Sequence, residues 1–318
     1  MISGKKILVT GGAGFIGSNM VELLHNDNEI TVVDDLSNVD DRYIRSLVES
    51  GKVIFRKIDL TGKNSLEDLG RQDLVIHLAA NSDVRGGSEN PIKDLNSNVI
   101  GTMEVLEYMR RTDTGEIAFA SSSTVYGETD VLPTPETYGP YMPISSYGAS
   151  KMACEGFITA YSHYYGFKSS IFRFANIVGK NSTHGVIFDF INKLRKNPQE
   201  LEILGDGTQR KSYMHVSDCV GSIIYVHEKS SRTDIFNLGN DMTTSVKKIG
   251  ETVIDKMGLK DVRVNFTGGV DGRGWKGDVK IAQLGIEKLK STGWKNSYTS
   301  DQAVEAAVEE TLAQLPHS

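Results

Sequence analysis

The feature that most constrains how this chain can fold is a glycine-rich segment near its amino terminus. Residues 11–17 read Gly-Gly-Ala-Gly-Phe-Ile-Gly; the short apolar run Lys6–Thr10 precedes them, and apolar residues at helical spacing follow, from Met20 to Leu24. Glycines at such a position permit a tight turn and close packing of a helix against a strand. The segment therefore predicts a strand, a turn and a helix as the opening unit of the fold.

Short runs rich in β-branched residues recur along the first half of the chain, with longer amphipathic stretches between them. Continuous apolar runs such as Ile7-Leu8-Val9 are typical of parallel strands that helices cover on both faces. The alternation predicts an α/β fold with a doubly wound, Rossmann-type parallel sheet. The expected strands are Lys6–Thr10, Ile30–Asp34, Val53–Asp59, Leu74–Leu78, Ile117–Ser121 and Ser169–Phe174.

The regular alternation ends after Asn176, where glycine clusters at 205–207 and 268–277 and irregularly spaced helices replace it. This change indicates a second, smaller unit, and the cleft between two units is the usual place for a ligand. The predicted division is residues 1–176 with a returning segment near 213–240 for the Rossmann domain, and residues 177–212 and 241–318 for a smaller C-terminal α/β domain that binds the substrate.

Composition and charge narrow the classes of function. The formal net charge is −6 without any Lys/Arg cluster, so we expect neither a nucleic-acid partner nor a membrane surface. Cys154 and Cys219 cannot form a disulfide framework and match no metal-ligand spacing, so no metal is expected. The lead Met1–Thr10 is too short and too polar for a signal peptide. These features favour a cytoplasmic location.

The glycine segment and the strand after it predict a dinucleotide site. Gly11, Gly14 and Gly17 would let the backbone approach a pyrophosphate, which a helix amino terminus attracts through its free N–H groups and its dipole. About twenty residues further on stand Asp34 and Asp35, where a carboxylate can bind ribose hydroxyls and repel a 2′-phosphate. NAD is therefore expected rather than NADP, with Asp34 responsible. Turn glycines followed by an acidic turn are the alternative.

Later strand ends offer further candidates for the same cofactor. Asp59 could contact the adenine edge, although a strand-end carboxylate without a ligand fits the sequence equally well. His77 is expected to be a packed core histidine rather than a catalytic group. Ala79 and Ala80 are small enough to let a cofactor lie close to the backbone.

A tyrosine and a lysine four residues apart form the candidate catalytic pair. Tyr147 and Lys151 begin a helical pattern that continues through Phe157 and Tyr161, so the two side chains share one helix face. A tyrosine that acts as a base near pH 7 needs about 4 kcal/mol of preferential stabilisation of its phenolate. An ammonium group at about 4 Å supplies an interaction of roughly that size in an effective dielectric of about 20.

The glycine motif, this Tyr/Lys pair and the stretch 119–127, Phe-Ala-Ser-Ser-Ser-Thr-Val-Tyr-Gly, together resemble the extended short-chain dehydrogenase/reductase family, in particular its nucleotide-sugar epimerases and dehydratases. The likeness runs over most of the chain. It implies that Ser122 binds the substrate and assists the tyrosine. Ser121 and Ser123 are expected to cap the strand end and satisfy backbone groups instead.

The same resemblance extends the set of residues expected around NAD. Asn98 corresponds to a helix asparagine that helps to organise the family's site. The expected NAD contacts are Gly11, Gly14, Phe15, Ile16, Gly17, Asp34, Asp35, Asn38, Asp59, Leu60, Leu78, Ala79, Ala80, Asn98, Tyr147 and Lys151.

The two residues after Ser122 favour one reaction within the family. Sugar 4,6-dehydratases carry an Asp-Glu pair there, because elimination of water needs an additional acid and base, whereas this chain has Ser123 and Thr124. Related decarboxylating enzymes keep a glutamate where Thr124 stands, and 4-epimerases have a threonine. The resemblance therefore implies inversion of carbon 4 of a nucleotide sugar through a transient 4-keto sugar, with UDP-glucose and UDP-galactose as the expected pair and Thr124 beside the substrate.

The second half of the chain carries the expected diphosphate contacts. Asn176 matches a family asparagine at the turn into the substrate domain. The family's phosphate-binding arginine aligns with Lys211, and Arg210 stands one place early. Either cation could neutralise a phosphate, although lysine lacks the bidentate geometry of arginine. A solvated charge pair is the alternative.

The carboxyl-terminal glycine cluster also departs from the family pattern. Trp275 occupies the usual position of an arginine, and Arg273 lies two residues earlier. Arg273 could reach the diphosphate from a shifted backbone, and Trp275 could stack on a base or be a packed structural residue. Ala282 falls where some epimerases place a bulky residue, so its small side chain would leave room for an N-acetyl group.

Two other functions stay open on the sequence. One is another epimerase or oxidoreductase of the same family that acts on a different nucleotide sugar. The other is an NAD-binding regulatory protein, a class that commonly lacks the tyrosine or the lysine. The family also implies a homodimer through the helices after Asn90 and Ser145, where apolar faces include Met103, Leu106 and Phe157.

Overall fold

The structure is a computed structural model that describes residues 2–84, 86–269, 272, 274 and 279–315. Strands and helices are interspersed along the chain. The strands are β1 Lys6–Thr10, β2 Glu29–Asp34, β3 Val53–Lys57, β4 Leu74–His77, β5 Glu116–Ser122, β6 Lys168–Phe174, β7 Asn176–Val178, β8 Glu200–Ile203, β9 Arg210–Lys211, β10 Tyr213–His215, β11 Asp234–Leu238, β12 Thr244–Ser245, β13 Arg263–Phe266 and β14 Ile281–Ala282. The α-helices are α1 Phe15–Leu24, α2 Arg45–Glu49, α3 Pro91–Asp94, α4 Gly101–Thr112, α5 Ser146–Tyr165, α6 Val186–Lys196, α7 Val216–Lys229, α8 Val246–Lys256, α9 Glu287–Ser291 and α10 Ser300–Gln314.

Seven strands form one parallel sheet in the order β3-β2-β1-β4-β5-β6-β11. Leu8 of β1 lies between Thr31 of β2 and Val75 of β4. Because the chain reverses its direction of strand addition between β1 and β4, a crevice opens at their carboxyl ends. The predicted fold class is confirmed, and the six predicted strands are all present with ends that differ by at most two residues.

The continuous apolar strands contribute side chains to two hydrophobic cores, one on each face of the sheet. Ile7 and Val9 face the core on the side of α1 and α7, whereas Leu8 faces the core on the side of α4 and α5. Successive strand residues point to opposite faces of a sheet, so a strand covered on both sides needs an apolar residue at every position. This arrangement places the carboxyl ends of the strands, rather than their faces, in reach of a ligand.

The chain after β6 builds smaller sheets and a third core. Strands β12, β9 and β14 form one small sheet, and Phe190, Leu201 and Val304 bring α6, β8 and α10 together in the third core. Strand β11 returns to the edge of the large sheet, where Phe236 pairs with Phe172. The division of the chain into two domains stays a prediction.

The apolar surface differs from the one expected for a homodimer. Leu106 is fully buried, because its face of α4 packs against the large sheet, and Met103 is half-buried. Exposed apolar side chains on this side of the molecule are Ile92, Leu95, Ile100, Met152 and Phe157. Leu106 was thus wrongly assigned to the surface, and the homodimer stays a prediction. None of the described helices combines the length and the apolarity that a membrane crossing requires.

Candidate active site

The glycine turn at the end of β1 is too crowded for any other residue at two positions. Gly11 has a φ of +70°, and a Cβ on it would lie 2.7 Å from the backbone nitrogen of Ala79. A Cβ on Gly17 would lie 2.1 Å from the carbonyl oxygen of Gly11. Helix α1 begins after Gly14 without a side-chain cap, so the N–H groups of its first turn, including those of Phe15 and Ile16, remain for an anionic ligand.

The end of β2 supplies a buried carboxylate beside this turn. Asp34 is 8% exposed and accepts hydrogen bonds from the backbone N–H groups of Ala13 and Leu36, at 3.1 and 2.9 Å. Burial raises the pKa of Asp34 above its usual value, and the two backbone bonds oppose that rise. Asp35 and Asn38 follow it on the exposed side.

The ends of β3 and β4 complete the predicted cofactor surface. Asp59 is exposed and accepts the Thr61 N–H at 2.8 Å, so this carboxylate already closes a turn, and Leu60 beside it is buried. Leu78, Ala79 and Ala80 are half-buried at the end of β4.

His77 is a core residue, as expected. It is 1% exposed and is hydrogen-bonded to the hydroxyl groups of Thr10 and Thr102, at 2.6 and 3.0 Å. Burial lowers the pKa of His77 to about 3. The ring is therefore neutral near pH 7 and joins β1, β4 and α4.

These residues fit NAD. The uncapped start of α1 suits a pyrophosphate, the Asp34 carboxylate stands at the neighbouring strand end, and Ala79 leaves the backbone of β4 accessible beside the turn. Among the described residues, no group of His, Cys, Asp and Glu side chains could hold a metal ion.

The candidate catalytic pair lies on the first turns of α5. Ser145 caps this helix by accepting the Gly148 N–H at 3.1 Å, which fixes where the helix begins. The Nζ atom of Lys151 lies 5.9 Å from the ring centroid of Tyr147. Lys151 is 2% exposed, donates to the carbonyl oxygen of Ala120 at 2.7 Å and faces the Phe119 ring.

Burial shapes the electrostatics of this pair. It lowers the pKa of Lys151 to about 8, so the ammonium form still predominates near pH 7. Burial also raises the pKa of Tyr147 to about 12; the Asp94 charge adds to the rise and the Ser122 hydroxyl opposes it. A phenolate at pH 7 then needs about 7 kcal/mol of stabilisation, which is more than the 4 kcal/mol expected from the sequence, because the sequence does not show the desolvation.

Ser122 is the last residue of β5 and caps the short 3-10 helix Ser123–Tyr126. Its oxygen accepts the backbone N–H of Thr124 at 3.2 Å and the Thr124 hydroxyl at 2.9 Å. Because Ser122 is the acceptor in both of these bonds, its own hydroxyl proton can be donated to another group.

Ser121 behaves differently from its prediction. Its hydroxyl donates to the buried carboxylate of Glu155 rather than capping the strand end, and Ser122 makes the cap instead. Neighbouring strand residues point to opposite faces, which is why only one of the two serines can reach the end of the strand.

Asn98 lies on a π-helix, Leu95–Ile100, between α3 and α4. Its Oδ1 atom accepts the Asn81 N–H at 2.7 Å, and its Nδ2 atom donates to the Ser150 hydroxyl at 2.8 Å. Asn98 therefore holds α5 one turn away from Tyr147. The organising role expected from the family stays a prediction. π-Helical turns are often found at functional sites.

Sequence reasoning missed a buried ion pair behind Lys151. Arg173 of β6 donates to both carboxylate oxygens of Glu155, at 2.9 and 2.6 Å, and also to the Tyr126 hydroxyl at 2.9 Å. The exposed fractions of the Arg173 and Glu155 side chains are 0% and 7%. Glu155 stands one helical turn after Lys151, so the pair holds α5 against the large sheet. The Tyr/Lys spacing gives no signal for it.

The predicted diphosphate contacts are more dispersed than the catalytic groups. Asn176 begins β7, and its amide lies 3.5 Å from the Ser212 carbonyl oxygen. Arg210 is exposed and donates to the side chain and the carbonyl group of Thr243, at 3.0 and 2.8 Å. Lys211 is half-buried and lies beside Ala282 of β14. Arg273 and Trp275 lie outside the described residues.

Comparisons with known proteins find similar chains over most of the length. The model of the NAD-dependent epimerase/dehydratase family matches residues 7–239. A crystal structure of a UDP-galactose 4-epimerase is 38% identical with a TM-score of 0.86, over 97% of this chain and 99% of that one. The UDP-glucuronate 4-epimerase of Thermodesulfobacterium geofontis is 30% identical over 95% of this chain and 94% of its own. The UDP-glucose 4-epimerase of Thermus thermophilus, solved in complex with NAD, is 27% identical with a TM-score of 0.84, over 97% of this chain and 99% of that one.

The chain belongs to the NAD-dependent epimerase/dehydratase family. It is an enzyme with an SDR-type Rossmann fold, and its cofactor is NAD.

Proposed function

We propose that this enzyme inverts carbon 4 of a nucleotide sugar through a transient 4-keto sugar, with UDP-glucose and UDP-galactose as the favoured pair. The observation that carries the proposal is the grouping of Tyr147 and Lys151 on the first turns of α5 with Ser122 at the end of β5. Relatives named for glucose, galactose and glucuronate show that the sugar differs within the family.

Each catalytic side chain has a separate role in the proposed reaction. NAD supplies a reversible hydride acceptor when it is bound. Tyr147 takes the proton of the 4-hydroxyl group and later returns it, while Ser122 donates its proton to the substrate oxygen or the phenolate. Lys151 stabilises the phenolate, because its ammonium lies 5.9 Å from the centroid of the Tyr147 ring. A unit charge at about 6 Å contributes about 3 kcal/mol in an effective dielectric of about 20.

The residues next to Ser122 favour epimerisation over dehydration. Ser123 and Thr124 provide no carboxylate for the acid and base steps that elimination of water needs. The Thr124 hydroxyl instead donates to Ser122 at 2.9 Å, which fixes the lone pairs of Ser122 and directs its proton elsewhere. A threonine at this position thus supports the proton exchange between Ser122 and Tyr147.

On the substrate side, Lys211 is the better candidate than Arg210 for the diphosphate. The two residues are neighbours on β9, so they face opposite sides of the small sheet. The Arg210 guanidinium donates to Thr243 on the exposed side, and Lys211 lies beside Ala282, the residue predicted to leave room for an N-acetyl group. A cytoplasmic location stays a prediction.

The test is incubation of the purified enzyme, without added cofactor, with UDP-glucose, UDP-galactose, their N-acetyl counterparts and UDP-glucuronate, followed by chromatography of the sugar nucleotides. We expect interconversion of at least one pair of 4-epimers, with loss of turnover in Tyr147→Phe. Tyr164→Phe is the matched control, because this tyrosine lies on the same helix and is 71% exposed. Bound NAD without conversion of any pair would contradict the proposal and favour the regulatory alternative.

A further inference from the structure

Asp94 is a buried carboxylate that the proposed reaction does not use. It is the last residue of α3 and is 1% exposed. Its Oδ1 atom accepts a hydrogen bond from the Asn81 side chain at 2.7 Å, and its Oδ2 atom accepts one from the Ser146 hydroxyl at 2.6 Å. Both oxygens are therefore used inside the protein, and a buried carboxylate of this kind is retained only where its partners are well placed.

One of these partners, Ser146, belongs to the helical turn that carries Tyr147. Ser146 directly precedes the tyrosine, and Ser150, three residues after it, is held by Asn98 at 2.8 Å. Asn81 joins the two attachments, because its side chain binds Asp94 and its backbone N–H binds the Oδ1 atom of Asn98 at 2.7 Å. One hydrogen-bonded network thus holds the helix on both sides of Tyr147.

We propose that Asp94 is a positioning residue for Tyr147: through Ser146 it fixes the first turn of α5, and with it the place of the reacting hydroxyl group. The inference rests on the proposed function, in which Tyr147 is the base. Holding a catalytic group to within a fraction of an ångström matters for rate, because small displacements from a reactive geometry are costly.

The charge of Asp94 has a second effect that separates this role from simple packing. Among the described residues, Lys151 of the same helix lies 5.9 Å from the Tyr147 ring, and Ser122 of β5, Asp94 of α3 and Cys154 of α5 all act on the pKa of Tyr147. The negative charge of Asp94 disfavours a neighbouring phenolate and helps to raise the pKa of Tyr147. Removal of that charge should make Tyr147 a base at lower pH.

The network allows the charge and the attachment to be removed one at a time. Asp94→Asn keeps the shape and removes the charge. The new amide group can donate to the Ser146 oxygen, because the Ser146 hydroxyl has a second acceptor in the carbonyl oxygen of Gly87 at 3.1 Å. Ser146→Ala keeps the charge and removes the attachment.

The experiment measures kcat and KM against pH for the NAD-loaded enzyme and these two variants, on the sugar pair that the wild type converts. For Ser146→Ala we expect kcat to fall about tenfold with KM nearly unchanged, because the loss of positioning acts on the reaction rather than on binding. For Asp94→Asn we expect the acid limb of the kcat profile to move down by about one pH unit.

Two matched variants control for loss of stability alone. Ser162→Ala removes a buried serine of the same helix, far along from Tyr147, whose hydroxyl binds the carbonyl oxygen of Ile158. Asp218→Asn removes a buried carboxylate that accepts the backbone N–H of Ser297 at 2.9 Å. Both controls should leave kcat and the pH profile of the active fraction unchanged.

If Asp94→Asn and Ser146→Ala match their controls in kcat and in pH profile while Tyr147→Phe is inactive, the inference is overturned and the proposed function stands. If the wild type converts no sugar nucleotide, the proposed function fails by itself. The inference is then decided by the ultraviolet titration of the Tyr147 phenolate, taken as the difference between the protein and its Tyr147→Phe variant. A midpoint that Asp94→Asn does not lower refutes the inference.

Discussion

Removal of Glu155 should destabilise this protein far more than removal of an exposed carboxylate. In Glu155→Leu, the Arg173 guanidinium stays fully buried, and its remaining acceptors among the described residues are the Tyr126 hydroxyl and the distant Glu136 carbonyl oxygen, at 2.9 and 3.4 Å. Arginine stays protonated in proteins, so it cannot avoid the cost of a buried charge by becoming neutral. An uncompensated buried charge of this kind costs about 3–5 kcal/mol, which for a chain of 318 residues is about 4–8 °C in melting temperature.

The assay is thermal unfolding followed by circular dichroism, with the exposed pair of Glu22 and Lys180 as the control. Those two side chains are 55% and 43% exposed and lie 2.8 Å apart, so Glu22→Leu should cost no more than about 1 kcal/mol. The double variant Glu155→Leu/Arg173→Met should recover much of the loss, because it removes both charges of the buried pair. Equal melting temperatures for Glu155→Leu and Glu22→Leu would refute the reasoning.

Three further predictions follow from the cofactor and catalytic residues. Gly17→Ala should lose NAD during purification, because its Cβ would lie 2.1 Å from a backbone oxygen. Gly70→Ala should retain NAD, because its Cβ would have no atom within 4 Å. Equal NAD contents of the two variants, measured by chromatography after denaturation, would contradict this prediction. Asp34→Asn should retain NADP better relative to NAD, measured by competition, since a carboxylate repels the 2′-phosphate; an unchanged ratio counts against Asp34. Lys151→Met should abolish turnover yet raise the melting temperature of the NAD-free protein at pH 7. Burial lowers the pKa of Lys151 from 10.5 to about 8, so the wild type gains stability as pH rises from about 8 to 10.5. The difference in melting temperature between the variant and the wild type should therefore shrink over this pH range. A difference in melting temperature that does not depend on pH would disprove burial of the Lys151 charge as its cause.

Features that depend only on residues close together in the sequence could be predicted before the fold was known. The turn at residues 11–17, the strands on either side of Asp34 and the one-turn spacing of Tyr147 and Lys151 are of this kind. Turn chemistry and hydrophobic periodicity act over a few residues, so the sequence is sufficient to show them. The family motifs add the role expected of Ser122 for the same reason.

Other features depend on residues that only the packing of distant segments brings together. Asp94 meets Ser146 across 52 residues of sequence, and Arg173 meets Glu155 across 18. The burial that raises the pKa of Tyr147 to about 12 has the same origin.

The sequence by itself therefore determined the Rossmann fold, the NAD cofactor and the candidate catalytic pair, because short-range patterns encode them. Tertiary structure alone decided which of Arg210 and Lys211 shares a face with Ala282, since strand register assigns the faces. It also decided that Leu106 is buried in the core and that a network around Asp94 holds Tyr147, because burial and hydrogen-bond partners exist only after the helices have packed on the sheet.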